Sequence, residues 1–566
     1  MRHVLLRAAL VAVLVCAVVC ISTALLAVGH ADFEEHRCGF DEVHAQTMSA
    51  RVSRVTYADE ERSVVPASTA WQPIRIAVFT GDVADSSRYC TAAGQIRPNF
   101  RGENVVCGAE DILTSSKKQI LMDLLIPLAV QLHTERLSVQ RESGNIVVAP
   151  SIRRDVLCGQ FNIPASHMTT GVANADFLLY VAAGPTSGNN IAWASTCQYF
   201  ANGRPSVGVA DLSPRYITPE PQKVRVVAHE ILHALGFIFF NFQARSMVAN
   251  VSNIRGKGTS PVINSTNVAA QAQAQYGCSA QTFMELEDAG ESGTVYSHWK
   301  RRSAKDELMA GISGAGAYSA LTIAAMEDMG YYRGNYSMAE PMMYGQSAGC
   351  SLTTDKCVVD GVSQFPEMFC SSSSTTMVCT SDRLGIGYCE MGPRSSALPP
   401  QFQYFANTSL GGYSVLMDYC PYMQSYTNGN CTYDTNAFRG SVFGVMSRCF
   451  DTPNGITEAR GLTYSQYGIC AEVQCGSSTY SVRVRGARTF TACTPGTSLS
   501  LNSLSSVFDL GRLSCPSYDS VCGIRVNATK FEEYFVPAGE ENAAGAPARM
   551  AIALVVAAAA VALLLE

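Results

Sequence analysis

Residues 229–237 read His229-Glu230-Ile231-Leu232-His233-Ala234-Leu235-Gly236-Phe237, directly after the apolar run Val224-Arg225-Val226-Val227-Ala228. The stretch sits inside an apolar helical pattern, and on a helix residues four apart lie about one turn up on the same face. Two imidazoles so placed can grip one metal ion such as zinc, and the intervening Glu230 can reach a water activated there. In a chain of this composition, with nine histidines, the His-Glu-x-x-His pattern arises by chance roughly 0.007 times. Two helix histidines without a metal are therefore a poor reading of this stretch.

The surrounding chain has 566 residues, 47% hydrophobic and 16% charged, with a formal charge of −6. At about 150 residues per domain this suggests three or four folding units with sizeable cores, and it excludes a largely disordered protein. No run of five basic residues occurs, so there is no electrostatic footprint for nucleic acid. No Walker-type phosphate loop occurs either, so a nucleotide is not expected. Lys300-Arg301-Arg302 reads most simply as a solvated surface cluster.

A hydrolytic zinc site takes three protein ligands and leaves one position open. Gly236 suggests the longer metzincin pattern, in which a glycine turns the chain and a third histidine follows three residues later. Position 239 is Phe, so the simple pattern fails. His3 and His30 fall in the N-terminal apolar segment, and His36 and His44 shortly after it. His133 reads as an ordinary surface residue on a helix and His167 as a loop residue after Pro164. His298, in Tyr296-Ser297-His298-Trp299, lies downstream, with a carboxylate such as Glu285 or Glu287 as rival ligand. Eleven residues past it, Met309 in Asp306-Glu307-Leu308-Met309-Ala310 has the look of a methionine turn beneath a metal. Gly345-Gln346-Ser347-Ala348-Gly349 matches a serine-hydrolase elbow, but it lacks the flanking strand and helix, and no histidine follows it.

Both termini point to secretion. Arg2 and Arg7 precede an apolar run from Ala8 to Val28, with Gly29 and Ala31 spaced like a cleavage site, giving a signal peptide over 1–31. At the other end a polar spacer precedes an apolar tail, Met550 to Leu565, which is the layout of a glycolipid-anchor signal with Asn542 as attachment site and 543–566 removed. Asn-x-Ser/Thr sequons at Asn250, Asn264, Asn335, Asn407, Asn430 and Asn527 are candidate glycosylation sites.

The 21 cysteines contain no Cys-x-x-Cys pair, which favours disulfides in an oxidising compartment over zinc ribbons. Discounting the signal and a removable pro-segment over 32–63, which holds the lone Cys38, leaves 18, enough for nine bridges. Five lie between Cys90 and Cys278 and thirteen between Cys350 and Cys522, so full pairing requires at least one bridge joining the two regions. Ile74 to Phe79 alternates as a strand does, and Asp176 to Ala182 reads as a buried strand. Ile112 to Leu137 reads as a helix that Pro127 kinks or ends. Past Cys350 the chain is rich in Ser, Thr, Gly and Tyr and should be loop-rich and disulfide-stapled.

At these residues the chain resembles the leishmanolysin family, surface metalloproteases of parasitic protozoa. The resemblance rests on HEILHALGF, the 61-residue insertion between Gly236 and His298, then SHW and DELMA. It extends through Ala109–Thr114, Pro261–Ser265, Gly345–Cys350 and Met417–Pro421. It implies a zinc endopeptidase with one Zn²⁺ per chain on His229, His233 and His298. Glu230 would be the general base, Met309 an apolar floor, and Cys38 a propeptide switch that fills the open metal position. It also implies the pairs Cys90–Cys107, Cys158–Cys197 and Cys278–Cys350. The fold expected is a multidomain α+β chain. A metzincin-like catalytic α/β domain spans 64–238, and a mixed central domain over 239–355 carries the third histidine and the methionine turn. A Cys-rich, mostly β and loop domain spans 356–542. The expected partners are protein or peptide substrates and, through the lipid anchor, the outer leaflet at the cell surface. A non-catalytic surface adhesin on the same scaffold is the competing reading.

Overall fold

Ile76-Ala77-Val78-Phe79 forms the first strand of the sheet that carries the site, and its neighbours explain why it is only half-buried while they are covered on both faces. In the computed structural model, which describes residues 66–186, 191–290, 294–312, 314–373, 377–433, 438–459 and 461–534, the chain is a mixed α/β protein with many strands and few helices. The expected signal peptide, Cys38, the pro-segment, Asn542 and the apolar tail lie outside the described residues.

Strands β1 (Ile76–Phe79), β2 (Phe177–Ala182), β3 (Ala192–Tyr199) and β4 (Pro205–Leu212) form one sheet in the order β1-β2-β4-β3. β1, β2 and β4 run parallel, with Ile76 opposite Phe177 and Leu178 opposite Val207, while β3 is an antiparallel edge with Trp193 opposite Asp211. β2 and β4 are buried throughout, as parallel strands sandwiched between two layers must be. Because side chains alternate between faces, Phe177, Leu179 and Val181 enter the main core, while Leu178, Tyr180 and Ala182 enter a second one with Trp193, Phe100 and Phe161. The main core runs on through Phe237, Phe242, Trp299, Met309 and Met326 as far as Phe531, so the segments on either side of Gly236 share one interior.

On the main-core face lie α1 (Ile126–Arg136) and α2 (Pro221–Ala234). The expected helix over 112–137 is present with an added feature. The helix runs on from Ser115–Gln119 through a π-turn at Ile120–Leu125 into α1, and the wider turn lies just before Pro127, whose ring lacks an N–H to donate. Downstream, β5 (Val248–Ser252), β6 (Thr259–Ile263) and β7 (Met284–Glu285) make a three-stranded antiparallel sheet, followed by α3 (Ala320–Asp328). A C-terminal sheet of β8 (Ser447–Asp451), β9 (Gly468–Cys475), β10 (Tyr480–Arg483) and β11 (Thr491–Ala492) covers its own core with Phe450, Phe508 and Leu513. Nine disulfides link described cysteines. Cys90–Cys107, Cys158–Cys197 and Cys278–Cys350 are among them, and the last joins the two cysteine-bearing regions.

Two surface expectations are overturned. Lys300, Arg301 and Arg302 are at most 1% exposed rather than solvated. Lys300 Nζ lies 2.7 Å from Glu287, 2.8 Å from Asp418 and 2.9 Å from Asp288, and Arg255 pairs with Glu285 at 2.8 Å and Asp418 at 3.1 Å. Burial alone would raise the Asp418 carboxyl, but Lys300, Arg255 and Lys257 outweigh it and hold it well below the usual carboxylate range. Arg301 reaches the Tyr422 hydroxyl, and Arg302 donates to the carbonyls of Leu352 and Asp355. The partners lie from 12 to over 100 residues away, outside the window in which the triplet reads as surface.

His133 is likewise fully buried, with Nδ1 3.2 Å from the Tyr318 hydroxyl. Burial, helped by nearby Arg136, pushes it down to about 3, so it is neutral in the folded protein and charged in the unfolded chain below about pH 6.5. The unfolded state then binds the extra proton, and this residue's contribution to stability falls as pH falls from about 6.5 toward 3. The unfolding midpoint of the wild type should therefore drop more steeply between pH 7 and pH 4 than that of His133→Gln. Parallel curves would show that His133 does not titrate in this way.

Candidate metal centre

Helix α2 begins where Pro221 occupies its first turn after Glu220, a position that suits proline, and it ends at Gly236, whose φ of +112° turns the chain away. A Cβ at Gly236 would meet Asn241 Nδ2 at 2.8 Å. The helix lies close on the sheet because β4 offers Gly208, where a Cβ would stand 3.0 Å from that of Ala234 and 2.7 Å from the Phe177 ring. Arg225 fixes the helix from the side through Glu340 at 2.8 Å and the Arg525 carbonyl at 2.9 Å. The result is a helix with His229, Glu230 and His233 all buried.

The third histidine arrives on an extended segment beside β7. Glu287 N–H donates to the His298 carbonyl (2.8 Å), Lys300 N–H to the Glu285 carbonyl (2.9 Å), and Trp299 N–H to the Met309 carbonyl (2.9 Å). His298 is thereby held between 285–287 on one side and the 306–310 turn on the other. The Nε2 atoms of His229, His233 and His298 lie 3.1–3.2 Å apart pairwise. Each Nδ1–H donates to a backbone carbonyl: His229 to Leu308 (2.6 Å), His233 to Phe237 (2.8 Å) and His298 to Thr294 (3.0 Å). With Nδ1 committed as donor, the Nε2 lone pairs are the ones left to face one another. Burial pushes His229 down to about 3, with His298 adding to the effect, and pushes His298 down to about 4.

Three imidazole Nε2 atoms turned toward one point, each ring held from behind by a carbonyl on Nδ1, are a cation site. A tetrahedral ion bound at about 2.0–2.1 Å from each nitrogen needs N–N separations of roughly 3.3–3.4 Å, close to those present, and leaves one position open. Among the described residues this is the one cluster of His, Cys, Asp and Glu side chains able to hold a metal ion.

The rival ligands stand elsewhere. Glu285 is spent on Arg255, and Glu287 on Lys300 and the Arg301 N–H. Met309 is buried directly after Leu308, whose carbonyl supports His229. Gly311 backs this turn against the third ligand, since a Cβ there would stand 2.3 Å from Thr294 Cγ2 and 3.7 Å from the His298 ring. Ser347, the elbow-like serine, sits in a turn at φ +55° with its N–H on the Gln275 carbonyl and takes no part. Of the six sequon asparagines five are exposed, while Asn430 is half-buried and bonds the buried Thr432.

Sequence reasoning missed the acceptors Leu308, Phe237 and Thr294, because a backbone carbonyl has no residue signature. It also missed Glu307. Burial raises this carboxyl to about 7, against the bonds that Thr322, Met309 and Ser319 donate to it. The sequence offered little signal, since Glu307 directly follows Lys305 and Asp306 and reads as one of a run of charges.

The centre joins two imidazoles from a helix packed under a mixed sheet, with a glutamate in the same helix turn, to a third from an extended segment, an arrangement suited to a metallopeptidase. The leishmanolysin family pattern matches residues 35–528. Leishmanolysin of Leishmania major is 42% identical over 510 residues, spanning 88% of this chain and 83% of its own length. That of Leishmania donovani is 39% identical over 524 residues, spanning 88% of each. The leishmanolysin-like peptidase of Drosophila melanogaster is 26% identical over 543 residues, spanning 74% of this chain and 79% of its own length. The chain belongs to the leishmanolysin family of metalloendopeptidases, whose substrates are proteins and peptides. Among the described residues no helix is long and apolar enough to cross a membrane.

Proposed function

We propose that the protein is a zinc-dependent endopeptidase of the cell surface, with one Zn²⁺ held by His229, His233 and His298 and Glu230 as general base. The observation that carries this reading is the convergence of the three Nε2 atoms within 3.2 Å in a buried centre that shares its helix with Glu230. Zinc bound there supplies Lewis acidity toward water and toward the scissile carbonyl. The three histidines are held by their Nδ1 bonds to backbone carbonyls, so none of them needs to move during the reaction. Glu230 takes the proton from the attacking water at its carboxylate and later returns it to the nitrogen of the departing amine. Met309 packs as an apolar floor and is not a ligand.

Support for the surface location comes from the two ends of the chain: the signal-like segment 1–31, and the tail that follows Asn542 in the layout of a lipid-anchor signal. Cys38, alone in a removable pro-segment, supplies a thiolate able to close the open metal position until that segment is cut away.

Casein cleavage by the matured ectodomain tests the base. Glu230→Ala should lower the rate by at least about 10²–10⁴-fold with zinc still bound. Wild-type cleavage by that variant would overturn the assignment, and negligible cleavage by both folded, zinc-loaded proteins would favour an adhesin. For the pro-segment, unprocessed Cys38→Ser should cleave casein where the unprocessed wild type does not. A variant that stays latent would leave inhibition to steric blockage alone.

A further inference from the structure

The turn below the metal centre needs something to hold it, because it is a short irregular segment that presents one carbonyl, that of Leu308, to one imidazole. Backbone bonds give part of the answer: Leu308 N–H donates to the Ala317 carbonyl, and Ala317 N–H to that of Asp306, each at 2.9 Å. The rest converges on one side chain. The Glu307 carboxylate is 1% exposed and accepts from the Met309 N–H on Oε2. On Oε1 it accepts from the Ser319 hydroxyl (2.7 Å), the Ser319 N–H (3.4 Å) and the Thr322 hydroxyl (2.6 Å).

Each of these donors leads somewhere. Ser319 is the cap of α3, where its oxygen accepts from the Leu321 N–H at 3.2 Å, so the carboxylate sits at the positive end of a nine-residue helix. Thr322 accepts in turn from the indole N–H of Trp299 at 2.9 Å, and Trp299 is the residue after His298. One carboxylate thus ties the turn that supports His229 to the segment that carries His298, with α3 as the fixed reference. Among the described residues no arginine or lysine is bonded to it; its partners are neutral N–H and O–H donors, three bonds on Oε1 and one on Oε2.

We propose that Glu307 is a positioning residue of the metal centre, holding the Leu308 carbonyl against His229 and, through Thr322 and Trp299, the backbone that carries His298. The inference rests on the metallopeptidase reading above. Side chains that orient metal ligands from behind typically alter metal affinity by about 10–100-fold when replaced. Glutamine is the informative substitution at 307, because it keeps the shape but points an N–H₂ group at one set of donors.

The test is zinc affinity of the matured protein by chelator competition, with the visible spectrum of the cobalt-substituted protein and kcat and KM on a peptide. Glu307→Gln should weaken zinc binding by about 10–100-fold, shift the cobalt bands and lower kcat with little change in KM. Thr322→Val, which cuts only the Trp299 branch, should change all three in the same direction by less. Asp176→Asn serves as control, since it weakens a part-buried pair with Arg75 at the start of β1 and β2 and should lower thermal stability while leaving zinc affinity alone. If folded Glu307→Gln and Thr322→Val bind zinc within twofold of wild type with unchanged cobalt bands, Glu307 is structural ballast and the proposal falls. Should Glu307→Gln not fold, Thr322→Val and Ser319→Ala decide by the same readings. A folded wild type that binds no zinc would overturn the metal reading and this inference with it.

Discussion

Three hydrogen bonds from imidazole Nδ1 to backbone carbonyls set the conditions for everything else in this structure. An imidazole free to rotate presents either nitrogen, and in either protonation state. One whose Nδ1–H is given to a fixed carbonyl has a single lone pair left, aimed along a single direction. The three carbonyls belong to Phe237 just past the helix, Leu308 in the turn and Thr294 before the third histidine. The centre is therefore assembled from three separate stretches of main chain, and each must be held in place by its own surroundings.

Those surroundings differ in kind. The Phe237 carbonyl depends on the turn at Gly236, where a positive φ and a neighbouring Asn241 leave no room for a side chain. The segment around His298 depends on charge. Lys300 is buried among Glu287, Asp288 and Asp418, and a slip of one residue against 285–287 would pull its ammonium out of that cluster and break its bond to Glu287. Buried ion pairs add little net stability compared with apolar packing, while breaking one costs about 3–5 kcal/mol. In this position that asymmetry selects register. The Leu308 carbonyl depends on neutral donors gathered by Glu307. Helix, ion cluster and turn are all covered by one apolar core, which keeps water from competing for the bonds.

How much of this was legible beforehand follows from the range of each interaction. His229 and His233 were readable because the helical period is local and four residues suffice to show it. His298 was reachable by enumeration, since few histidines lie outside the N-terminal segments, and Glu285 and Glu287 remained rivals until their cationic partners were located. The strands at 76–79 and 177–182 were plain from their apolar patterning, whereas the π-turn before Pro127 was not, because a widened turn keeps nearly the same periodicity. Lys300-Arg301-Arg302 and His133 were misread for one reason. Charge or polarity in a short window suggests solvent, and the groups that satisfy these side chains lie up to 185 residues away.

The centre itself is best examined by X-ray absorption at the zinc edge of the matured protein. Three nitrogen scatterers at about 2.0–2.1 Å with imidazole outer shells, and one further light atom, are expected. Two imidazoles with a carboxylate in place of the third would contradict the assignment of His298.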